Sequence, residues 1–320
     1  MNPYLKPILQ AAIKASHVQL NEQKLIEVAG AWSTDDLKIP DWRAPVFPEA
    51  DDETFIDFLG VGNAINFCFT DPNTKLKYTT EYQDKQWSGA FGMWAALKRA
   101  LEEGIELLNP LYLEDLGENE AGYIFRGNPP LPMLGHRVAC LQTAGIAMRY
   151  YFGGSYSMFF RGCKFRAFDD GKGIVEKLVE HDPFWWDASP HKPTQTLLQF
   201  HKRANLFAMM YHGRALASGG KLKPIVDATD LTPPADYELP KALRHLGILV
   251  YSADLALAVD SGQPIPEDSE WEQEIRAQTV SAMLKLCDVL GKPIAAVDYK
   301  VWSSGRQSSL PHHLTRTTAY

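Results

Sequence analysis

The chain is poor in the features that would tie it to a metal, a membrane or an oxidising compartment. Its 320 residues include only four cysteines, Cys68, Cys140, Cys163 and Cys287, all far apart. No C-x-x-C pair occurs, so neither a structural zinc site nor a disulfide framework is expected. The thiols are read as reduced, in a cytoplasmic protein. No apolar run reaches the length of a membrane span, and the opening M-N-P-Y-L-K-P-I-L-Q lacks the hydrophobic stretch of a signal peptide. There is no G-x-S-x-G, which leaves an esterase-type elbow unsupported. Gly153-Gly154-Ser155 has neither the spacing nor the lysine of a phosphate loop and reads as a helix stop. Charge blocks, internal repeats and low-complexity linkers are missing as well. The net charge of −7 argues against a nucleic-acid backbone as the main partner.

What is present suits a single large core. The hydrophobic share is 45% and the charged share 22%, ordinary for a globular chain that needs no covalent staples. Apolar residues at helical spacing predict two short helices between Lys6 and Ala31, broken near residues 16–21. Pro40–Pro48 is a proline-punctuated loop. Phe55–Thr70 is aromatic and partly alternating, so it reads as a strand or buried irregular chain. Lys75–Gln83 reads as a second strand, with Asp71-Pro72-Asn73 as the turn. Helices are then expected over Trp87–Gly104, with Ser88 as cap and Gly104 as stop, and over Leu134–Phe152, Gly173–Val179, Leu197–Leu216, Ser252–Val259 and Ser269–Leu290. Asn119–Phe125 fits helix or strand. His181-Asp182 reads as an exposed pair. The last residues hold too many aromatic and imidazole groups for a disordered tail and should dock on the body. Alternating β-α units are absent. The expected fold is therefore mostly α, one domain over residues 1–320, with a small antiparallel β element in the N-terminal third.

One stretch stands apart, D-A-T-D-L-T-P-P-A-D-Y-E-L-P-K-A-L-R-H-L-G from Asp227 to Gly247. Pro233 and Pro234 forbid a helix just before Ala235 and stiffen the connector. Pro240 suits the first turn of a helix running to Leu249. Asp236 is thus delivered to a fixed point at a helix start, where a carboxylate serves as a cap or as a reacting group. Asn66, polar within an apolar run, needs a buried partner or a ligand. Asp227, Asp230, Asp236 and Asp298 are the carboxylate candidates, and spacing alone does not bring them together. The adjacent His312-His313 lacks the i, i+4 spacing of a zinc pair.

Several stretches taken in order resemble the queuosine salvage proteins, which are queuosine 5′-monophosphate N-glycosylases. They are I-N-F-C-F (Ile65–Phe69), W-S-G-A-F-G-M-W-A-A-L-K-R-A-L-E-E-G-I (Trp87–Ile105), F-G-G-S-Y (Phe152–Tyr156), H-K-R-A-N (His201–Asn205) and A-D-Y-E-L-P-K-A-L-R-H-L-G (Ala235–Gly247). Glu274-Ile275-Arg276, Val297-Asp298-Tyr299 and the ending P-H-H-L-T-R-T-T-A-Y complete the set.

The resemblance implies a helical fold similar to DNA glycosylases and release of queuine, a 7-deazaguanine base, for tRNA modification. Cleaving an N-glycosidic bond builds positive charge on the sugar, and a fixed carboxylate at C1′ can stabilise or attack it. The family's residue for this maps to Asp236. Asp298 maps to a base-contacting aspartate, with Tyr299, Pro234, Tyr237, Asn66 and Ser303 expected around the base. Lys202, His312, His313 and Arg316 are the candidates for holding the 5′-phosphate. No cofactor, metal, direct nucleic-acid contact or membrane is implied, only a small nucleotide substrate. The chain departs from the family pattern at Asn63, Pro234 and Ser303. A hydrolase for another deazapurine nucleotide, or a non-catalytic nucleotide or base binder, therefore stands beside the main reading.

Overall fold

The computed structural model describes residues 2–320. The chain runs α1 (Leu5–Lys14), β1 (Val18–Leu20), α2 (Glu22–Ala31), α3 (Glu53–Ala64), β2 (Thr79–Tyr82), β3 (Lys85–Ser88), α4 (Gly89–Glu102), α5 (Pro110–Glu114), α6 (Glu118–Ile124), α7 (Leu134–Tyr150), α8 (Tyr156–Gly162) and α9 (Ile174–His181). It continues with β4 (Ala188–His191), β5 (Thr196–Gln199), α10 (Lys202–Ala217), α11 (Glu238–His245), β6 (Leu249–Tyr251), α12 (Ala253–Asp260), α13 (Glu270–Leu290) and α14 (Ile294–Gly305). The fold is mostly α. Its strands form three separate two-stranded antiparallel pairs, β1–β6, β2–β3 and β4–β5, so the β structure is not confined to the N-terminal third.

Two buried helices organise the body. α13 packs against α1, α2, α11 and α14, and α10 packs against α3, α9 and α14. The main hydrophobic cluster is continuous from Val18 to Val301. The chain end docks on it as expected: Tyr320 is 1% exposed, and its carbonyl accepts the N–H of Cys68 at 2.9 Å.

The largest departure from expectation is α3. The stretch read as strand or irregular chain is a helix through Ala64, started by Asp52, whose side chain accepts the N–H of Thr54 at 2.9 Å. Its residues Phe58 to Ala64 are all buried. A helix covered on every side shows no polar face, so the 3.6-residue period that would reveal it is erased. The strand at Thr79–Tyr82 instead pairs with β3, across a turn in which Gln83 and Asp84 both have positive φ, 52° and 56°. That backbone matches the twist of a tight hairpin. The Asp71 turn does form, with Thr70 bridging Lys77.

Residues 196–199 are strand, and α10 begins only at Lys202. Residues 119–125 resolve as the helix α6 with its C-cap. Ser88 precedes α4 without a capping hydrogen bond from its side chain. Asp182 is fully buried at the start of the short turn Pro183–Trp185, where its side chain accepts the N–H of Phe184 at 3.0 Å, and is not part of an exposed pair.

Close approaches fix the walls of what becomes the site. Gly62 on α3 lies flat against the Trp94 ring, and a Cβ there would overlap it. Gly62→Ala keeps helical backbone geometry yet overpacks this contact, so it is expected to cost ~1–3 kcal/mol in a urea titration. An unchanged midpoint would show that the ring has room to move. Gly213 on α10 likewise admits the carbonyl of Pro40. Beside it, buried Arg214 donates to the carbonyls of Asp41 (2.8 Å), Trp42 (2.5 Å) and Pro48 (3.1 Å). One guanidinium therefore pins the proline loop and holds Trp42 in place.

Candidate active site

Asp236 leaves the Pro233-Pro234 connector as predicted. The amide of Thr232 is held by the Asn205 side chain at 2.9 Å, which anchors the connector to α10. Oδ1 of Asp236 accepts the N–H groups of Glu238 (2.8 Å) and Leu239 (3.2 Å) at the start of α11. Oδ2 turns the other way and lies 3.6 Å from Nζ of Lys202. The same carboxylate thus holds the helix start through one oxygen and faces the Lys202 ammonium through the other.

Lys202 is buried at the first turn of α10, and its ammonium also lies 3.5 Å from the carbonyl of Asn66. Burial pulls its pKa down, and Asp236 opposes that shift. The turn carrying Asn66 is fixed by two buried arginines. Arg137 donates to the carbonyls of Phe67 and Pro132, and Arg203 donates to those of Ala64 and Phe184. Asn63, the first departure from the family pattern, is fully buried. Its side-chain oxygen accepts from the Asn66 amide at 3.2 Å, and its own amide donates to the Leu59 carbonyl at 2.9 Å.

Asp236, Lys202 and Asn66 form a threshold between two joined chambers, since all three line both. The inner chamber, about 80 Å³, is walled by Trp42, Phe91, Trp94, Trp302, Tyr299, Met210 and Pro234, with Asp298 among them. The outer chamber, about 380 Å³, is lined by Lys77, Lys85, Gln86, Trp87, Tyr237, Glu238, Arg306 and Tyr320. An aromatic row joins the two: Trp87 stacks on Phe91, Phe91 on Trp302, and Trp302 on Tyr299, at centroid distances of 6.3, 5.9 and 5.8 Å. Such a row offers flat faces to a planar ring.

Asp298 and Asp236 converge, which spacing alone did not show. Burial, then the neighbouring Asp236 charge, push the Asp298 carboxyl up to about 8, with Lys202 opposing. Its Oδ1 is sealed from solvent and has no hydrogen-bond partner among the described residues. The inner chamber therefore holds a carboxyl that is mostly protonated at neutral pH, beside a second carboxylate already paired with a lysine. Two acids in contrasting environments can divide acid and nucleophile roles.

Other sequence candidates fall elsewhere. Asp227 is committed to backbone, accepting from Ala167 (2.7 Å) and Phe168 (3.0 Å). The Ser303 hydroxyl bonds back to the Tyr299 carbonyl at 2.6 Å within α14 and does not line a chamber. His312 stacks against Tyr237 at 4.4 Å and contacts the Thr70 hydroxyl at 3.3 Å, buttressing the wall from behind. His313 is buried against the Tyr320 hydroxyl, and burial with the charges of His312 and Arg276 drives it down to about 3, so it carries no positive charge. Arg316 is exposed and does not line the chambers. The cations that do line the outer chamber, besides Lys202, are Lys77, Lys85 and Arg306. Lys77 is already 3.3 Å from Glu238.

Sequence reasoning missed Trp302 and Arg306, although the signal was there. Asp298 and Trp302 stand at i and i+4 on one face of α14, and Arg306, the C-cap in helical conformation, continues that face at i+8. Among the described residues, one set of possible metal ligands, His17, Glu270 and Glu274, has its atoms within 4.8 Å of one another. Glu274 already accepts from the backbone of Ser16, His17 and Val18, so its oxygens are spent on holding that turn.

The family model described as "Queuosine salvage protein" matches residues 46–320. This chain belongs to the queuosine salvage family. A relative from Sphaerobacter thermophilus, named queuosine 5′-phosphate N-glycosylase/hydrolase, is 29% identical over 316 residues, covering 96% of this chain and 94% of its own. Relatives of the same name from Bos taurus and Mus musculus are 26% and 24% identical, covering 89% and 92% of this chain and 88% and 90% of theirs. The family's match takes in α3 to the chain end, and with them the residues lining both chambers apart from Trp42.

No helix among the described residues is long and apolar enough to cross a membrane.

Proposed function

We propose that this protein is an N-glycosidase that hydrolyses queuosine 5′-monophosphate to queuine and ribose 5-phosphate, with Asp236 acting at C1′. The observation that carries the reading is Oδ2 of Asp236, turned away from the helix start and facing Lys202 at the threshold between an aromatic slot and a cationic outer chamber. A nucleotide spanning the threshold puts its base in the slot, its ribose at Asp236 and its phosphate in the outer chamber. Bond breaking sends the C1′–N9 electron pair to the base. Asp298, protonated, supplies a proton to the base edge, since a 7-deaza base has no N7 to receive it. Asp236 stabilises or captures the positive C1′, and one water completes the hydrolysis, its oxygen bonding to C1′ and its released proton replacing the one given to the base. We read the chain as one domain carrying this site, acting in the cytoplasm on a small molecule.

Among the described residues, Lys85 and Arg306 are the outer-chamber cations without an acidic partner in an ion pair, so the phosphate is assigned to them rather than to His313 or Arg316. Incubation with queuosine 5′-monophosphate should release free base, with guanosine monophosphate a poor competitor. The Lys85→Ser/Arg306→Ser double variant should raise KM for the nucleotide at least tenfold, on the scale of charge-assisted bonds. KM for the dephosphorylated nucleoside should be nearly unaffected. No base release by the wild-type protein would sink the reading, and equal effects on nucleotide and nucleoside would remove the phosphate assignment.

A further inference from the structure

We propose that Arg276 is a positioning residue for this reaction: one buried guanidinium sets the spacing of Asp236 and Lys202 by holding the backbone on both sides. The inference rests on the assignment of Asp236 as the reacting carboxylate. Arg276 comes from α13 and lines neither chamber. Its Nε donates to the carbonyl of Ala235 at 3.1 Å, one residue before Asp236. Its Nη1 and Nη2 grip Asp187 at 2.8 and 2.6 Å. The gripped Oδ2 of Asp187 also accepts the backbone N–H of Lys202 at 2.9 Å, at the first turn of α10. The Asp187 carbonyl takes the N–H groups of Phe200 and His201 as well, at 3.0 and 3.3 Å. A single planar group therefore connects the Asp236 connector to the start of the lysine's helix.

The guanidinium has no freedom to drift. It lies between the rings of Phe200 and Tyr320, with its centre 4.0 and 4.5 Å from their centroids. Both side chains of the ion pair are 3% exposed. A buried Arg–Asp pair is a poor way to gain stability compared with apolar packing of the same volume, so geometry is the better account of it. Three fixed donors aimed at three acceptors require a fork, which lysine lacks. Misplacing a reacting group by about 1 Å costs on the order of a hundredfold in rate.

The test compares base release from queuosine 5′-monophosphate by wild type, Arg276→Lys, Asp187→Asn and Glu272→Gln, each checked for a cooperative thermal melt. Glu272 touches Arg276 at 3.4 Å but has no bond to Ala235, Asp187 or α10, so it reports on mere disturbance of the arginine's surroundings. Arg276→Lys and Asp187→Asn should lower kcat by roughly thirtyfold or more with KM within about threefold, since neither side chain reaches the nucleotide. Glu272→Gln should keep kcat within about threefold. A folded Arg276→Lys or Asp187→Asn protein with near-normal kcat overturns the proposal. So does an equal kcat loss in Glu272→Gln, a loss appearing only in KM, or failure of both test variants to fold. An inactive wild type instead overturns the functional reading on which the proposal stands.

Discussion

Asp236→Asn should reduce turnover of queuosine 5′-monophosphate at least roughly a hundredfold, the scale for losing one transition-state contact, while leaving nucleotide binding largely intact. The structure separates the two jobs of this residue. Asparagine can keep Oδ1 on the N–H groups of Glu238 and Leu239, because it caps helices as well as aspartate does. What it loses is the negative charge on the Oδ2 side, at the threshold of the two chambers. The Lys202 charge is not stranded by the change. Asp298 lies within its electrostatic reach, and without the Asp236 charge nearby Asp298 ionises more readily. The variant should therefore melt close to wild type. Single-turnover base release and a thermal melt on the same preparation make the measurement. A folded variant that releases base at the wild-type rate would reduce Asp236 to a cap and end the catalytic assignment.

How far the sequence revealed this site depended on the kind of signal each residue left. Asp236 was legible because prolines on either side dictate backbone geometry locally, and local rules need no knowledge of the fold. The helices with one exposed face were legible through their period. α3 was not, because burial on all sides removes the polar face that makes a period visible. The same burial hid the partner of β2, since assigning residues 55–70 to a strand offered the wrong neighbour. The residues that line the cationic wall were hard to read for a different reason. Adjacent histidines in a sequence look like two equivalent donors, yet His312 buttresses Tyr237 and His313 faces the Tyr320 hydroxyl. Which of two neighbours meets solvent is decided by tertiary packing. Arg276 carried no local mark of its role, because its three acceptors come from residues 187 and 235, far away along the chain.

The convergence of Asp236, Lys202 and Asp298 also has a thermodynamic consequence, and it predicts a pH dependence with a definite sign. Asp298 titrates near 8 in the folded chain against an ordinary value of 3.8, so between those values the native state binds more protons than the unfolded state. Stability associated with this group is fully present below about pH 4 and is lost as pH rises through about 8. Asp298→Asn removes the ionisation. It should stabilise the protein at pH 8.5 by at least about 1 kcal/mol, one pKa unit being worth 1.36 kcal/mol, and the gap should shrink toward pH 5. Activity is expected to follow the same proton. If the neutral carboxyl donates to the departing base, wild-type kcat falls as pH rises above about 8. In Asp298→Asn that limb disappears and the rate settles at a low plateau. If the ionised form instead pairs with the amine of the base, kcat/KM rises through the same window. Measuring kcat and kcat/KM from pH 6 to 10 therefore decides the role by sign. A flat wild-type profile together with an Asp298→Asn protein no more stable at pH 8.5 than wild type would mean that the carboxyl is ionised throughout and that neither role depends on its proton.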